Sequence, residues 1–181
     1  QKGFIGGEFK LGIIPTIMPT LLPMFLSNFI KKYPKIKLVI EEHNTEEMIT
    51  LLKNGHLDAA IAATPLEDEK IKEIVLYYEP FVAYFPENHH SFQKEEIEVG
   101  DIDVENLLLL QDGHCFRDGI LNLCKNTNNS ESSIFQIESG SFETLIKLAD
   151  EGLGTTLLPY LHTLDLKEKD KVKLQIGRAH V

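Results

Sequence analysis

One short segment holds the residue types best suited to covalent chemistry. Residues 113–124 read G-H-C-F-R-D-G-I-L-N-L-C and contain both cysteines of the 181-residue chain, Cys115 and Cys124. His114 and Arg117, which can carry positive charge, stand close to the first cysteine. A thiolate is the form of cysteine that acts as a nucleophile and that oxidants attack, and neighbouring cations favour it. These residue types therefore point to thiol redox chemistry.

Helical geometry decides whether the two cysteines can meet. The segment 115–124 has the residue pattern of a helix, and nine residues at ~1.5 Å each would place the two Cα atoms ~13 Å apart along the axis. Nine steps of ~100° also leave the two side chains on opposite faces. A disulfide needs Cα atoms closer than ~7 Å. Either the cysteines never meet, or their bond unravels the helix.

The predicted helix start favours a reactive Cys115. Unpaired backbone N–H groups and the helix dipole stabilise a thiolate at that position. Most lone cysteines are buried and inert, which is the alternative for Cys115. For Cys124 the spacing alone does not separate a redox partner from a small apolar residue of the helix. The apolar residues expected to anchor this helix are Phe116, Ile120, Leu121 and Leu123.

Apolar periodicity predicts the elements that must position this segment. The first half alternates between the two kinds of element: strand 9–14, helix 20–33, strand 36–41, helix 45–53 and strand 57–62. Thr20 and Thr45 are predicted helix caps, Pro23 is predicted to fall in a first turn, and Gly55 ends a helix. Thr16 and Thr45 also follow strand ends, where ligands bind in open α/β sheets.

The second half repeats the alternation after a changeover near Glu79. Its predicted elements are strand signals over 74–85, strand 107–110, helix 115–124, strand 134–137, helix 141–150 and strand 155–158. Strands that alternate with helices through short links predict βαβ units and a parallel sheet. The sequence therefore predicts an α/β fold of two Rossmann-like lobes with a cleft between them.

Composition narrows the function classes. The net charge of −10 argues against binding of nucleic acid or anionic membrane by this piece alone. No run approaches ~20 apolar residues, so no membrane span is predicted. Adjacent histidines point apart more often than they chelate, so His89 and His90 are not predicted to bind zinc. Gly152 and Gly154 precede a strand, which favours a helix cap over a phosphate loop.

Four stretches resemble the effector-binding domain of LysR-type transcription regulators. They are I-P-T at 14–16, F…Y-P at 29–34, N-G-H-L-D-A-A-I at 54–61 and A-D-E-G-L-G-T-T-L-L-P at 149–159. The narrower motif D-G-H-C-F-R-D, followed by Cys124, is similar to the peroxide-sensing branch of that family. The resemblance spans roughly residues 9 to 176 and implies a fold like that of type II periplasmic binding proteins.

The resemblance implies a redox-sensing regulatory domain that hydrogen peroxide switches through a reversible disulfide. Cys115 matches the family's peroxide-reactive thiolate, and Cys124 matches its resolving cysteine. The residues implied for the peroxide pocket are Thr16, Thr45, Gly113, His114, Arg117 and Asp118. No metal, no cofactor and no enzymatic turnover are expected. Lobe I is expected over 1–79 and lobe II, with the cysteines, over 80–176.

The resemblance also implies partners. They are hydrogen peroxide, further copies in a homodimer or tetramer, a cellular disulfide reductant, and DNA bound only through an N-terminal winged helix-turn-helix outside these residues. No membrane is involved, and the expected location is the cytoplasm. We expect the chain to be a fragment that lacks the C-terminal return completing the first lobe, and 177–181 to be a non-native tail.

Two other function classes stay open. The same architecture serves LysR-type regulators that bind a small organic effector, and solute-binding proteins. A thiol peroxidase would share the cysteine pair but would need rapid recycling by a reductant. The cysteine pair favours the sensor over the binding module, and fold alone separates none of the three.

Overall fold

The chain divides into two compact units, Gln1–Leu76 and Tyr77–Val181. The computed structural model describes residues 6–66, 68–92, 94, 97–102, 106–111, 115–124 and 141–176. The division lies close to the changeover predicted near Glu79, and the identity of the two units as regulatory lobes stays a prediction. Each unit combines strands with helices, so the predicted α/β class is confirmed.

The first unit is built on a three-stranded parallel sheet of order β2-β1-β3. Its strands are β1 Gly7–Ile13, β2 Ile36–Glu42 and β3 Ala59–Ile61, and its helices are α1 Met18–Lys32 and α2 Thr45–Lys53. At the carboxyl edge of the sheet, Ile13 of the central strand is paired with Glu42 on one side and Ile61 on the other. The parallel βαβ order predicted from periodicity is therefore confirmed in this unit.

Close packing of α2 on the sheet depends on a glycine. A Cβ added to Gly12 would lie 2.8 Å from Leu57 Cδ1 and 3.0 Å from Met48 Sδ. Both Leu57 and Met48 are buried apolar residues of this unit's core. A side chain at Gly12 would therefore displace the ends of the Leu57 and Met48 side chains, the second of which belongs to α2.

The predicted start of α1 was wrong by one short turn. The helix begins at Met18 rather than after Thr20, because Pro19 lies in its first turn, where proline is pre-set for helix entry. Thr20 is therefore a buried residue inside the helix and not its cap. Pro23, predicted for a first turn, lies in the helix interior, where it removes one backbone donor.

The predicted cap of α2 was displaced by one residue. Asn44, not Thr45, is the N-cap, and its side-chain oxygen accepts a hydrogen bond from the Glu47 N–H at 2.9 Å. Thr45 is the first residue of the helix, and its hydroxyl is released from capping. Glu46 and Glu47 lie in the first turn, and Gly55 follows the helix with φ of 69°.

The second unit has a mixed sheet of order β5-β6-β4-β7. Its strands are β4 Phe81–Tyr84, β5 Leu107–Leu108, β6 Thr155–Pro159 and β7 Leu174–Ile176, and its helices are α3 Cys115–Cys124, α4 Phe142–Asp150, α5 Tyr160–Leu164 and α6 Glu168–Lys171. The prediction of a purely parallel sheet was wrong here, because β4 runs antiparallel to both β6 and β7. The strand predicted at 134–137 lies outside the described residues.

The apolar stretch before β4 does not form the strand that its composition predicted. Only Phe81–Tyr84 is a strand. Ile74 and Tyr78 expose 69% and 85% of their surface, and residues 71–80 have no strand partner within the described part of the chain. β-propensity reflects packing on a sheet rather than an intrinsic preference of the backbone. The composition of this stretch therefore overestimated the length of the strand.

Two buried clusters cover the two faces of the second sheet. The first is formed by Tyr84, Leu108, Leu110, Phe142, Leu145, Ile146, Ala149 and Leu158, and the second by Ala83, Phe85, Ile97, Ile102, Ile120 and Leu157. Successive strand residues point to opposite faces, which is why neighbours on β4 and β6 fall in different clusters. Helix α4 covers the first face, and α3 contributes Ile120 to the second.

Candidate functional site

The two cysteines are the first and last residues of one helix. Helix α3 runs Cys115–Cys124, as the residue pattern predicted. At the rise of an α-helix the Cα atoms of its two ends stand ~13 Å apart, roughly twice the reach of a disulfide. A bond between these cysteines is therefore incompatible with the helix that holds them.

Three described residues of α3, Arg117, Gly119 and Ile120, contact other parts of its unit. Ile120 is 1% exposed in the second cluster, and Gly119 is so close to the ring of Phe81 that an added Cβ would lie 3.1 Å from Cζ. Arg117 Nη1 donates a hydrogen bond to the carbonyl oxygen of Leu110 at 3.0 Å.

A glycine inside a helix lowers its stability by about 1 kcal/mol relative to alanine, so Gly119 makes α3 easier to lose. The predicted anchor Leu121 is 37% exposed. Among the α3 side chains that the structure describes, Ile120 is the one that is fully buried.

The remaining residues predicted around the thiol are only partly placed. Arg117, expected to support the thiolate, is tied to the Leu110 carbonyl after β5. Gly113 and His114 lie outside the described residues. Five side chains of α3 are also outside the described part of the structure: Cys115, Phe116, Asp118, Leu123 and Cys124.

Thr16 and Thr45 occupy equivalent positions beyond two neighbouring parallel strands. Thr16 follows β1 and is 6% exposed, and Thr45 follows β2 as the first residue of α2. The last residues of these strands, Ile13 and Glu42, are paired. The structure therefore brings both threonines to the carboxyl edge of the first sheet, where ligands bind in open α/β folds.

The Thr45 hydroxyl is buried, and no described group accepts or donates a hydrogen bond to it. An unpaired buried hydroxyl costs about 1–3 kcal/mol, so such groups are few in native proteins and call for an explanation. Because Asn44 performs the capping, Thr45 is not needed for α2. The hydrogen-bonding capacity of the Thr45 hydroxyl is therefore unused by the described residues.

Next to Thr45 lies a charged cluster that sequence reasoning missed. His43 Nε2 is 3.1 Å from Glu41 Oε2, and His43 Nδ1 is 3.3 Å from Glu47 Oε2. His56 Nε2 also approaches Glu41 Oε2, at 3.2 Å. The hydrogen bond to Glu41 raises the pKa of His43, and the bond from His43 lowers the pKa of Glu41. The run E-E-H-N-T-E-E was the available signal.

Among the residues that the structure describes, no group of three or more His, Cys, Asp and Glu side chains could hold a metal ion. No helix within those residues is both long and apolar enough to cross a bilayer.

Comparison with known proteins defines the class of this domain. The family described as LysR substrate binding domain matches residues 2–179. The chain belongs to this family, which confirms the resemblance carried by its motifs and the predicted fold.

Its relatives within the family are named OxyR or hydrogen peroxide-inducible genes activator. The DNA-binding transcriptional dual regulator OxyR of Escherichia coli is 33% identical over 172 residues, covering 95% of this chain and 56% of the relative. A probable hydrogen peroxide-inducible genes activator of Mycobacterium leprae is 36% identical over 153 residues, covering 84% and 49%. The chain thus spans about half the length of the curated relatives it matches.

Solved structures of OxyR share the fold. The reduced form of the OxyR regulatory domain from Pseudomonas aeruginosa is 31% identical, with a TM-score of 0.80, and the match covers 96% of this chain and 83% of that one. A cysteine-to-serine mutant of Corynebacterium glutamicum OxyR with H2O2 bound is 32% identical, with a TM-score of 0.81, covering 97% and 54%.

Proposed function

We propose that this chain is the redox-sensing regulatory domain of a LysR-type transcription regulator that responds to hydrogen peroxide. The observation that carries the proposal is the placement of the two cysteines at the two ends of α3, in a chain that matches OxyR regulatory domains. Such a helix keeps the thiols apart in the reduced form. Under oxidising conditions, the free energy gained by forming the disulfide exceeds the free energy lost with the helix. The disulfide then acts as a covalent switch between two arrangements of one segment.

The proposed reaction proceeds in two steps. The Cys115 thiolate attacks one oxygen of hydrogen peroxide, the O–O bond breaks, and a sulfenic acid forms while the other oxygen leaves as hydroxide and takes a proton to become water. The Cys124 thiol then attacks the sulfenic sulfur, which releases a second water and leaves the disulfide. Two electrons pass from the two thiols to one peroxide. Return to the dithiol needs a cellular dithiol reductant.

The proposal assigns the remaining residues to the peroxide pocket. Thr16 and Thr45 would hold the peroxide by hydrogen bonds, and the availability of the Thr45 hydroxyl supports that role. Gly113, His114, Arg117 and Asp118 would surround the thiol. The H2O2-bound structure of a relative supports peroxide as the ligand.

We further propose the setting in which this domain works. It would operate in the cytoplasm as a regulator rather than an enzyme, in a homodimer or tetramer. DNA would be bound by a winged helix-turn-helix outside these residues. The net negative charge of the chain argues against direct contact with DNA phosphates. A change in α3 would therefore alter DNA binding through the way in which copies of the domain pair.

A peroxide titration tests the sensor against a thiol peroxidase. In the absence of reductant, hydrogen peroxide below one equivalent should form intramolecular disulfide in proportion to the peroxide added, measured by mass spectrometry after thiol blocking. With excess peroxide and a dithiol reductant, turnover should stay slow. Absence of the Cys115–Cys124 bond contradicts the sensor, and rapid sustained turnover favours the peroxidase.

Thr45→Val is expected to slow oxidation without destabilising the fold. Valine keeps the shape of threonine and removes a buried hydroxyl that has no described partner, so the free energy of unfolding should hold or rise slightly. If that hydroxyl binds peroxide, the rate of Cys115 oxidation should fall about threefold to tenfold, the equivalent of one ordinary hydrogen bond. Stopped-flow oxidation and thermal melting check both parts.

Thr16→Val should also slow oxidation, because Thr16 stands at the matching position beyond β1. The control is Thr50→Val on α2, whose hydroxyl donates to the Glu46 carbonyl away from the sheet edge. Oxidation at the wild-type rate in both Thr16→Val and Thr45→Val would reduce these threonines to structural residues.

A further inference from the structure

We propose that His43, as an imidazolium, is a positioning residue that holds the β2-to-α2 link and thereby aims the Thr45 hydroxyl. The contacts of His43 with Glu41 and Glu47 form a clamp on this link. The inference rests on the proposed function for the role of Thr45 but not for the clamp itself. His43 is absent from the motifs that identify the domain, and its contacts are visible only in the folded chain.

The protonation state follows from geometry. Both ring nitrogens of His43 lie within hydrogen-bonding distance of carboxylate oxygens, Nε2 at 3.1 Å from Glu41 and Nδ1 at 3.3 Å from Glu47. An ionised carboxylate only accepts hydrogen bonds, and a neutral imidazole has one donor nitrogen. Both contacts are satisfied together only when His43 carries two N–H groups and a positive charge.

The clamp spans the segment that contains Thr45. Glu41 lies on β2, His43 on the link, and Glu47 in the first turn of α2. The Asn44 side chain adds a second tie from the link to the Glu47 N–H at 2.9 Å. With the link held at both ends, the first residue of α2 has little freedom. Thr45 is that residue, so the direction of its hydroxyl depends on the clamp.

The charges facing His43 determine how the clamp responds to pH. Glu41 and Glu47 face the ring, and His56 contacts the same oxygen of Glu41 as His43 does. Hydrogen bonding to Glu41 raises the pKa of His43 above its ordinary value of 6.5. The clamp is therefore complete below pH 6.5 and is lost as the pH rises through the raised pKa.

The first test compares His43→Gln with wild type at two pH values. His43→Gln should slow peroxide oxidation about threefold to tenfold at about pH 6, the range expected for loss of one hydrogen bond. The deficit should shrink towards about pH 9, because wild-type His43 loses its charge as the pH rises through its raised pKa. Taking the ratio of the two rates at each pH cancels the ionisation of the Cys115 thiol, which is common to both proteins.

His56→Gln is the matched control. It removes a contact to the same oxygen of Glu41 but leaves the His43–Glu47 half of the clamp intact. Its oxidation rate should stay near wild type at both pH values. Glu47→Gln, which weakens the clamp from α2, should change the rate in the same direction as His43→Gln. A pH-independent ratio for His43→Gln, or an equal defect in His56→Gln, overturns the inference.

A second readout keeps the clamp testable apart from peroxide. The methyl and amide resonances of Thr45 should shift with the titration of the His43 ring in wild type and His56→Gln, and should not do so in His43→Gln. Thr45 resonances that ignore the His43 titration overturn the clamp whatever the oxidation rates. If peroxide does not oxidise the wild-type protein while its Thr45 resonances follow the His43 titration, the proposed function is contradicted and the clamp is supported.

Discussion

Oxidation by hydrogen peroxide is expected to remove the amide protection of residues Gly119 to Cys124. In an α-helix the N–H of each residue donates to the carbonyl four positions earlier, so these are the amides that α3 covers. A Cys115–Cys124 disulfide needs the two Cα atoms within ~7 Å, whereas helix α3 holds them ~13 Å apart. The disulfide and the intact helix therefore cannot exist together. Exchange at these amides should speed up at least tenfold, roughly the difference between a structured and an opened segment. Hydrogen exchange with mass spectrometry on reduced and oxidised protein measures it.

Two controls confine this effect to the disulfide. Cys115→Ser should keep the protection of α3 after peroxide treatment, because no sulfenic acid can form at residue 115. Helix α4, Phe142–Asp150, should keep its protection in both redox forms, since its contacts lie in the other cluster. Unchanged exchange across α3 after complete disulfide formation would rule out the switch.

The first unit was largely predictable, because its order follows from local patterns. Strand and helix periods alternate cleanly there, and the parallel pairing needs only the right βαβ order. The errors were at boundaries. Asn44 and Thr45 are both good caps, and nothing local decides between them. Pro19 and Pro23 each fit a first turn, and in the structure Pro19 lies there because the helix begins at Met18.

The second unit was harder, because its sheet depends on distant pairing. Strand β7 lies far along the chain from β4, its antiparallel partner, and a short three-residue strand has little pattern of its own. The exposed run Ile74 to Tyr78 shows the reverse error, since apolar and aromatic residues predicted a strand where no described partner exists. Periodicity predicts elements and does not predict which strands will pair.

The same distinction holds for the candidate site. The residue pattern of 115–124 predicted the helix, and the spacing of Cys115 and Cys124 predicted its conflict with a disulfide, because both follow from local features. The role of His43 could not be predicted, since it depends on where β2 delivers Glu41 and α2 delivers Glu47. The free hydroxyl of Thr45 was hidden for a related reason: only the structure shows that Asn44 takes over capping.

Ile120→Ala is expected to make the Cys115–Cys124 disulfide harder to reduce. Ile120 is 1% exposed and is the one fully buried side chain that α3 is seen to contribute within the described residues. Truncating such an isoleucine typically costs about 2–5 kcal/mol. Because the bond requires loss of the helix around Ile120, that cost falls on the dithiol form. The reduction potential should therefore become more negative by about 40–110 mV, measured by equilibration with a glutathione or dithiothreitol couple.

Ile146→Ala separates this effect from general destabilisation. Ile146 is 7% exposed on α4, in the cluster on the other face of the sheet, so both redox forms should lose its packing equally. The melting temperature of the Ile146→Ala variant should fall, while the reduction potential of its disulfide should change little. A shift in Ile146→Ala as large as that in Ile120→Ala would mean that oxidation loosens the whole unit. With the shift confined to Ile120, the packing of one side chain in α3 sets how much oxidising power is needed to close the disulfide, and substitution there would tune the sensor without touching a cysteine.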